Sequence, residues 1–281
     1  MSSVPSTSGA GQVPVEWHPS ALVQVHDGAG PEAAAAERAE FALIVLNQPL
    51  AKHMALSKRL WQNANVCIAA DGGANCLHEA AGQWGDKCFD NLHAIVGDLD
   101  SLDDNVRAYY EIRNTKIVLR PSQDATDFTK SVDYVRTEFH TGNSPSAPLD
   151  IVAIGGLGGR VDQGLSQIHH LYMFQKHPQY KDGRMYIFSG ESLTFLLKSG
   201  THHIRVRDCP GDNDVFDKHV GILPVREPSR ITTKGLEWDV TDWETHFGGQ
   251  VSTSNHVLPE TEVVEVHTTK DVLFTIALRK I

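Results

Sequence analysis

The stretch Ala94-Ile95-Val96-Gly97-Asp98-Leu99-Asp100-Ser101 decides how the chain is read. Three apolar residues make a short buried strand. Gly97 breaks the run, and two aspartates follow at i and i+2. In extended chain, side chains two apart point to the same side. Asp98 and Asp100 are therefore expected to converge at the end of a strand, where open α/β sheets bind ligands. Two carboxylates there need a positive charge between them. It could be a hard divalent cation such as Mg²⁺, or a Lys or Arg. The plain alternative is a loop, since Asp and Ser are common turn formers.

Working outward, the same grammar repeats. Phe41 to Leu46 and Val66 to Ala70 read as buried strands. The first ends at Asn47-Gln48-Pro49 and the second at Asp71-Gly72-Gly73-Ala74-Asn75. Helices are expected over Leu50 to Trp61, Cys76 to Ala81 and Val106 to Ile112. Ile117 to Leu119 leads into Arg120-Pro121-Ser122-Gln123-Asp124-Ala125-Thr126-Asp127-Phe128-Thr129-Lys130. The helix beginning there carries Phe128, Val132 and Val135 on one side. Asp124 suits its N-cap and Asp127 its N3 position, with Lys130 in reach of Asp127 at i+3. Ile151 to Ile154 is followed by Gly155-Gly156-Leu157-Gly158-Gly159-Arg160 and a helix from Val161 to Phe174. Strand, glycine loop and helix together offer backbone N–H groups to a phosphate. The loop is not a Walker A, because no Gly-Lys-Ser/Thr follows, and Val161 stands where a dinucleotide fingerprint needs its third glycine. After a strand at Met185 to Phe188 the style changes. From about Ser192, short alternating runs separated by turn residues read as an antiparallel β region, with Asp208 to Asp217 an acidic Pro/Gly loop.

Composition narrows the partners. The chain has 281 residues, 41% of them apolar, and a formal net charge of −10. No basic run offers a nucleic-acid footprint. An acidic protein that binds a polyanion must use a metal or a few local cations. Cys67, Cys76, Cys88 and Cys209 form no CxxC pair and are expected as reduced thiols. No apolar run is long enough to span a membrane. Residues Met1 to about Gln12, Ser/Gly/Pro-rich, are expected to be disordered. Neither a secretory signal nor an Arg-rich transit peptide is expected there. A cytoplasmic protein is the expectation.

Acids thus follow several successive strands: Asp71, Asp98 with Asp100, and Asp124 with Asp127. A Mg²⁺–polyphosphate site explains that placement, with carboxylates on the metal and cations and backbone N–H groups on phosphate oxygens. The motifs Asp71–Asn75, Gly97–Ser101, Asp124–Lys130 and Gly155-Gly156-Leu157-Gly158-Gly159-Arg160-Val161-Asp162-Gln163 occur in the order seen in thiamine pyrophosphokinases. Gly221–Val225, Thr232–Trp238 and Ser252–Asn255 also resemble that family. The likeness runs from about Phe41 to the C-terminus.

The resemblance implies transfer of pyrophosphate from ATP to the hydroxyl of thiamine, giving thiamine diphosphate and AMP. It implies an α/β fold: a Rossmann-like parallel-sheet domain over residues 41–191, holding nucleotide and Mg²⁺, then an antiparallel β-sandwich over 192–281 that binds thiamine. Residues 1–40 would be a partly disordered extension. A homodimer with active sites at the subunit interface is implied as well. By motif match, Asp98, Asp100 and Asp127 would hold Mg²⁺, with Asp71 close by. Gln123, Lys130, Arg160, Asp162 and Gln163 would surround the phosphates and the reacting hydroxyl, and Asp71 and Asp162 remain the candidates for its proton. Trp238 matches the family's tryptophan at the thiamine site, with Thr232 and Asn255 in weaker supporting roles. Two rivals stand beside this reading. One is another Mg²⁺-dependent nucleotide pyrophosphotransferase or pyrophosphohydrolase. The other is a non-catalytic nucleotide-binding module, which would not need so many carboxylates around a polyanion.

Overall fold

The computed structural model describes residues 13–24, 39–50, 53–85, 89–139, 148–207 and 215–279. Expectations for residues 1–12, 25–38 and 208–214, and for Cys88, fall outside them. The described elements are, in order, β1 (Val15–Trp17), β2 (Phe41–Val45), α1 (Met54–Asn63), β3 (Val66–Ala70), α2 (Gly73–Trp84), β4 (Ala94–Gly97), α3 (Asp104–Glu111), β5 (Lys116–Leu119), α4 (Asp127–Glu138), β6 (Asp150–Ile154), α5 (Val161–Phe174), β7 (Met185–Phe188), β8 (Ser192–Leu197), β9 (Gly200–Arg205), β10 (Phe216–Leu223), β11 (Ser229–Lys234), β12 (Trp243–Thr245), β13 (Ser252–His256), β14 (Val263–Thr268) and β15 (Val272–Leu278). The fold is mixed α/β, with parallel strands and antiparallel ones.

Ten strands form one sheet in the order β13-β10-β15-β8-β7-β6-β2-β3-β4-β5. From β7 to β5 the pairing is parallel. Beyond the antiparallel β7–β8 pair it stays antiparallel. The inner parallel strands are buried on both faces, which is why β2 and β3 read as unbroken apolar runs, while the edge strand β5 is partly exposed. Alternation divides them: Leu43, Val45, Cys67 and Ile95 pack with α1, α2 and α3, whereas Ala42, Ile44, Ile68 and Val96 pack with α4 and α5. In the antiparallel half, Phe195, Phe274 and Ile276 share one core with Ile204, Val264 and Val266 of a second, five-stranded sheet, ordered β1-β9-β14-β11-β12. Strand order reverses at β2, whose neighbours are β3 and β6. That crevice is where this topology places ligands.

Several boundaries differ from the sequence expectation. Residues 13–24 are part of the packed structure: β1 pairs in parallel with β9, and Trp17 is wholly buried, donating to His202 Nδ1 at 3.0 Å. Part of the expected acidic loop is strand, because β10 begins at Phe216. Asp124 is not the cap of α4. Thr126 is, its hydroxyl accepting from the Thr129 N–H, so Asp127 opens the helix instead of standing at N3. Helix α2 begins at Gly73, three residues before expected.

Candidate active site

The carboxyl ends of β3 and β4 and the first turn of α4 meet at one point. Asp71 follows β3 with a left-handed φ of 44°, a conformation a non-glycine residue holds only when its surroundings enforce it. Its N–H donates to the Val96 carbonyl, and its Oδ2 accepts from the Ser101 N–H at 3.1 Å. Its Oδ1 is buried without a partner. Gly97 makes the crowding possible: a Cβ there would lie 2.7 Å from the Asp71 Cβ and 3.0 Å from Asp127 Oδ1.

Asp98 Oδ2 accepts from Lys130 Nζ at 2.9 Å and from Gln123 Nε2 at 3.1 Å. Lys130 reaches Asp127 Oδ1 at 2.9 Å as well, the i+3 pair anticipated from sequence, and the Asp98 N–H donates to that same oxygen. One oxygen each from Asp71, Asp98 and Asp127 lies within 4.8 Å of the others. Burial, and then repulsion from Asp127, Asp100 and Asp98, push the Asp71 carboxyl up to about 6 against the Ser101 N–H. Lys130 holds Asp98 below the usual carboxylate range. Burial pulls Lys130 down, but its bonds to Asp127 and Asp98 outweigh this and raise it. Three carboxylates face one ammonium, and one buried oxygen is unanswered. An all-oxygen set short of positive charge suits a hard divalent cation, so the residues fit the metal the sequence called for.

Asp100 is not in this group. Leu99 adopts a φ of 64°, so residues 98–100 are not extended and the i, i+2 rule does not apply. The exposed Asp100 carboxylate instead accepts from Ser101 Oγ at 2.9 Å.

Arg160 caps α5 with no side-chain cap bond and pairs bidentately with Asp162, at 3.1 and 2.5 Å. Both are well exposed, at 73% and 60% of the side chain. Gln163 lies exposed on the same first turn. Gly155 in the preceding loop has a φ of 71°, and a Cβ there would meet the Leu46 carbonyl at 2.7 Å. The glycine loop therefore abuts the end of β2. A cavity of about 310 Å³ opens there, between Gln48, Leu50, His53, Gly155 and Phe188.

Sequence reasoning assigned no role to four contributors. Asn47 and Gln48, read only as a strand stop, sit against Gly72 and Gly159 and join the two glycine loops; their place at the end of a central strand was the available signal. Asn75 donates to the Ser101 carbonyl and accepts from the Asp103 N–H, tying α2 to the acidic loop. His170 is the fourth. Its Nε2 lies 2.9 and 3.1 Å from the Thr126 and Thr129 hydroxyls, supporting the α4 cap, and nothing in its neighbours announced this.

The remaining expected residues form a second group. Trp238 is 55% exposed on the turn after β11. Asn255 on β13 is buried and its amide grips that turn, accepting from the Trp238 N–H at 3.1 Å and donating to the Trp238 carbonyl at 2.9 Å, while its Oδ1 also accepts from the His256 N–H. Thr232 Oγ1 accepts from the Asp242 N–H. Eight strand spacings separate β13 from β4 in the large sheet, roughly 40 Å.

Comparison with known proteins bears on both groups. Residues 57–181 match the profile described as "Thiamin pyrophosphokinase, catalytic domain", and residues 201–273 match "Thiamin pyrophosphokinase, vitamin B1 binding domain". The chain is 35% identical to thiamine pyrophosphokinase 3 of Oryza sativa subsp. japonica over 86% of its own length and 88% of that protein's. With the thiamine pyrophosphokinase of Saccharomyces cerevisiae it shares 28% identity over 76% and 78%. The crystal structure of yeast thiamin pyrophosphokinase has the same fold, with a TM-score of 0.80 at 22% identity over 98% of this chain and 95% of that one. The thiamin pyrophosphokinase of Candida albicans superposes with a TM-score of 0.75 at 23% identity over 95% and 93%. Taken with the acidic rim and the matched segments of both halves, these similarities make the chain a member of the thiamin pyrophosphokinase family.

Proposed function

We propose that the chain transfers pyrophosphate from ATP to the hydroxyl of thiamine, giving thiamine diphosphate and AMP, with Mg²⁺ as its metal. The observation that carries this reading is the convergence of Asp71, Asp98 and Asp127 on Lys130 at the strand ends. Asp71, Asp98 and Asp127 would hold the ion, with Asp100 at its margin. Bound there, Mg²⁺ supplies positive charge to the phosphate oxygens of the transferring group. Lys130 and Gln123, already donating into the cluster, orient those oxygens. Arg160 exchanges Asp162 for phosphate, whose geometry its planar fork matches, and Gln163 adds an amide donor on the same turn. Asp71 and Asp162 are the carboxylates available to accept the hydroxyl proton. The cavity at the β2–β6 crevice takes the nucleoside.

Residues 41–191 serve as the nucleotide half and 192–281 as the thiamine half. Trp238 offers a face to the cationic substrate. Thr232 and Asn255 act on it indirectly, by fixing the turn. A separation of roughly 40 Å along the sheet exceeds the reach of a two-ring substrate. That distance supports a homodimer in which the Trp238 turn of one copy completes the acidic rim of the other. Cys67 and Cys76 are free thiols, in keeping with the cytoplasm, and among the described residues no helix is long and apolar enough to cross a membrane. The test is purified protein with ATP, Mg²⁺ and thiamine, monitored for AMP and thiamine diphosphate. AMP release that does not require thiamine would make the chain a pyrophosphohydrolase instead.

A further inference from the structure

We propose that His256, locked by Glu237, is a positioning residue that sets the orientation of the Trp238 ring and through it the affinity for thiamine. The inference rests on the reading of Trp238 as the face thiamine meets. An indole 55% exposed on a turn has few neighbours to hold it. A ring free to rotate gives up rotamer entropy each time it orders against a ligand.

The backbone below Trp238 is fixed by Asn255, as described, and by the Glu237 N–H, which donates to the His256 carbonyl at 2.8 Å. These bonds fix the turn and leave the ring unconstrained. The ring's own neighbour is His256, with centroids 5.1 Å apart and planes inclined at 46°. His256 is itself held on two sides. Its Nδ1 lies 2.6 Å from Glu237 Oε2. A carboxylate only accepts, so this nitrogen is the donor. His219, its partner in the β10–β13 register, meets it edge-on with centroids 4.8 Å apart. Support therefore runs from Glu237 to His256 to Trp238 and closes through the peptide bond joining Glu237 and Trp238.

The experiment compares His256→Ala, Glu237→Ala, Glu237→Gln and Trp238→Ala in the full chain. It reads thiamine KM, ATP KM and kcat, and also acrylamide quenching of the fluorescence component that Trp238→Phe removes. His256→Ala and Glu237→Ala are expected to raise thiamine KM by about five- to tenfold, the scale of one weakened ring contact, with ATP KM within twofold. Both should make the Trp238 component more quenchable. Glu237→Gln keeps the acceptor and is expected to restore most of the affinity. Glu237→Ala lies on an exposed turn and keeps the test open if His256→Ala folds poorly. The proposal is overturned if Trp238→Ala raises thiamine KM while His256→Ala and Glu237→Ala leave both KM and quenching unchanged. If Trp238→Ala leaves thiamine KM unchanged, the reading of Trp238 fails. Quenching then decides separately whether His256 holds the ring.

Discussion

The acidic rim and the Trp238 turn hold their principal side chains in opposite ways. At the rim the backbone sets the positions, and Lys130 and Gln123 add donors to the carboxylates. Strands stop abruptly, Asp71 and Leu99 take left-handed conformations, and Gly97 leaves room for carboxylates that repel one another. At the turn, side chains do the holding: the Asn255 amide grips the Trp238 backbone and His256 lies against its ring. The rim is preloaded with charge that only a cation relieves. The turn stores no comparable repulsion and adjusts to what it meets. Changes at the rim should therefore be severe and insensitive to compensation, while those at the turn should be graded.

The largest expected effect follows directly. Asp98→Asn and Asp127→Asn should each lower kcat/KM by about 10²–10³-fold or more, the scale of losing one preorganised charge in a transfer site, with Tm little changed. Asp100→Asn, outside the grouped oxygens, should cost less. Equal losses at Asp98 and Asp100, measured at limiting Mg²⁺, would restore Asp100 to the metal set. Next comes Arg160. Replacement by Ala should cost roughly as much as one charge-assisted bidentate contact, about 10²-fold, and Lys should recover only part. Equal turnover for Lys and Arg would reduce Arg160 to a point charge.

At the turn, Trp238→Ala should raise thiamine KM by about tenfold or more and leave ATP KM nearly unchanged. Mixing Asp98→Asn subunits with Trp238→Ala subunits should restore activity, because one of the two sites in a mixed dimer then carries neither lesion. Absence of recovery after demonstrated subunit exchange would confine the site to one copy.

A smaller effect concerns His202. Burial lowers its imidazole to about 4, and the Trp17 indole donates to its Nδ1. An unfolded histidine titrates near 6.5, so between those values the unfolded chain binds the extra proton. Stability is complete above about pH 6.5 and declines as pH falls toward 4, by roughly 3 kcal/mol at most. The half-buried Asp150 carboxyl, raised to about 6 by desolvation, acts with the opposite sign, so a difference measurement is needed. The stability advantage of the native chain over His202→Gln should narrow between pH 7 and 4.5 in denaturant titrations, and a gap that stays constant would remove the effect. Least of all, deletion of residues 1–12 should leave Tm and activity nearly unchanged, because it stops short of β1. A drop of several degrees would count against that.

The parallel half was legible because β2, β3, β4, β6 and β7 are buried and read as apolar runs, with an Asp or Gly where β3, β4 and β6 end. Helix α5 agrees with the sequence expectation at both ends. The strands β1, β12 and β13 escaped notice. Val15-Glu16-Trp17, Trp243-Glu244-Thr245 and Ser252–His256 are short, partly polar edge strands whose partners, not their own composition, make them strands. The acids were legible as a set, but their geometry was not. Extended chain would bring Asp98 and Asp100 to one point, and a single left-handed residue at Leu99 turns Asp100 away from the other carboxylates. Between Asp124 and Thr126 as cap, both residue types qualify, and the His170 contact that favours Thr126 comes from 44 residues away.

The β7–β8 pair carries a mechanical consequence. It joins the two halves by backbone hydrogen bonds within one sheet, so the chain behaves as a stiff plate where a flexible tether would give two swinging lobes. Substrate entry and product escape are then expected to depend on the loops along the plate's margin. A chain cut at Glu191 would leave two raw strand edges, each prone to capture foreign strands, so the halves are not expected to survive as separate pieces.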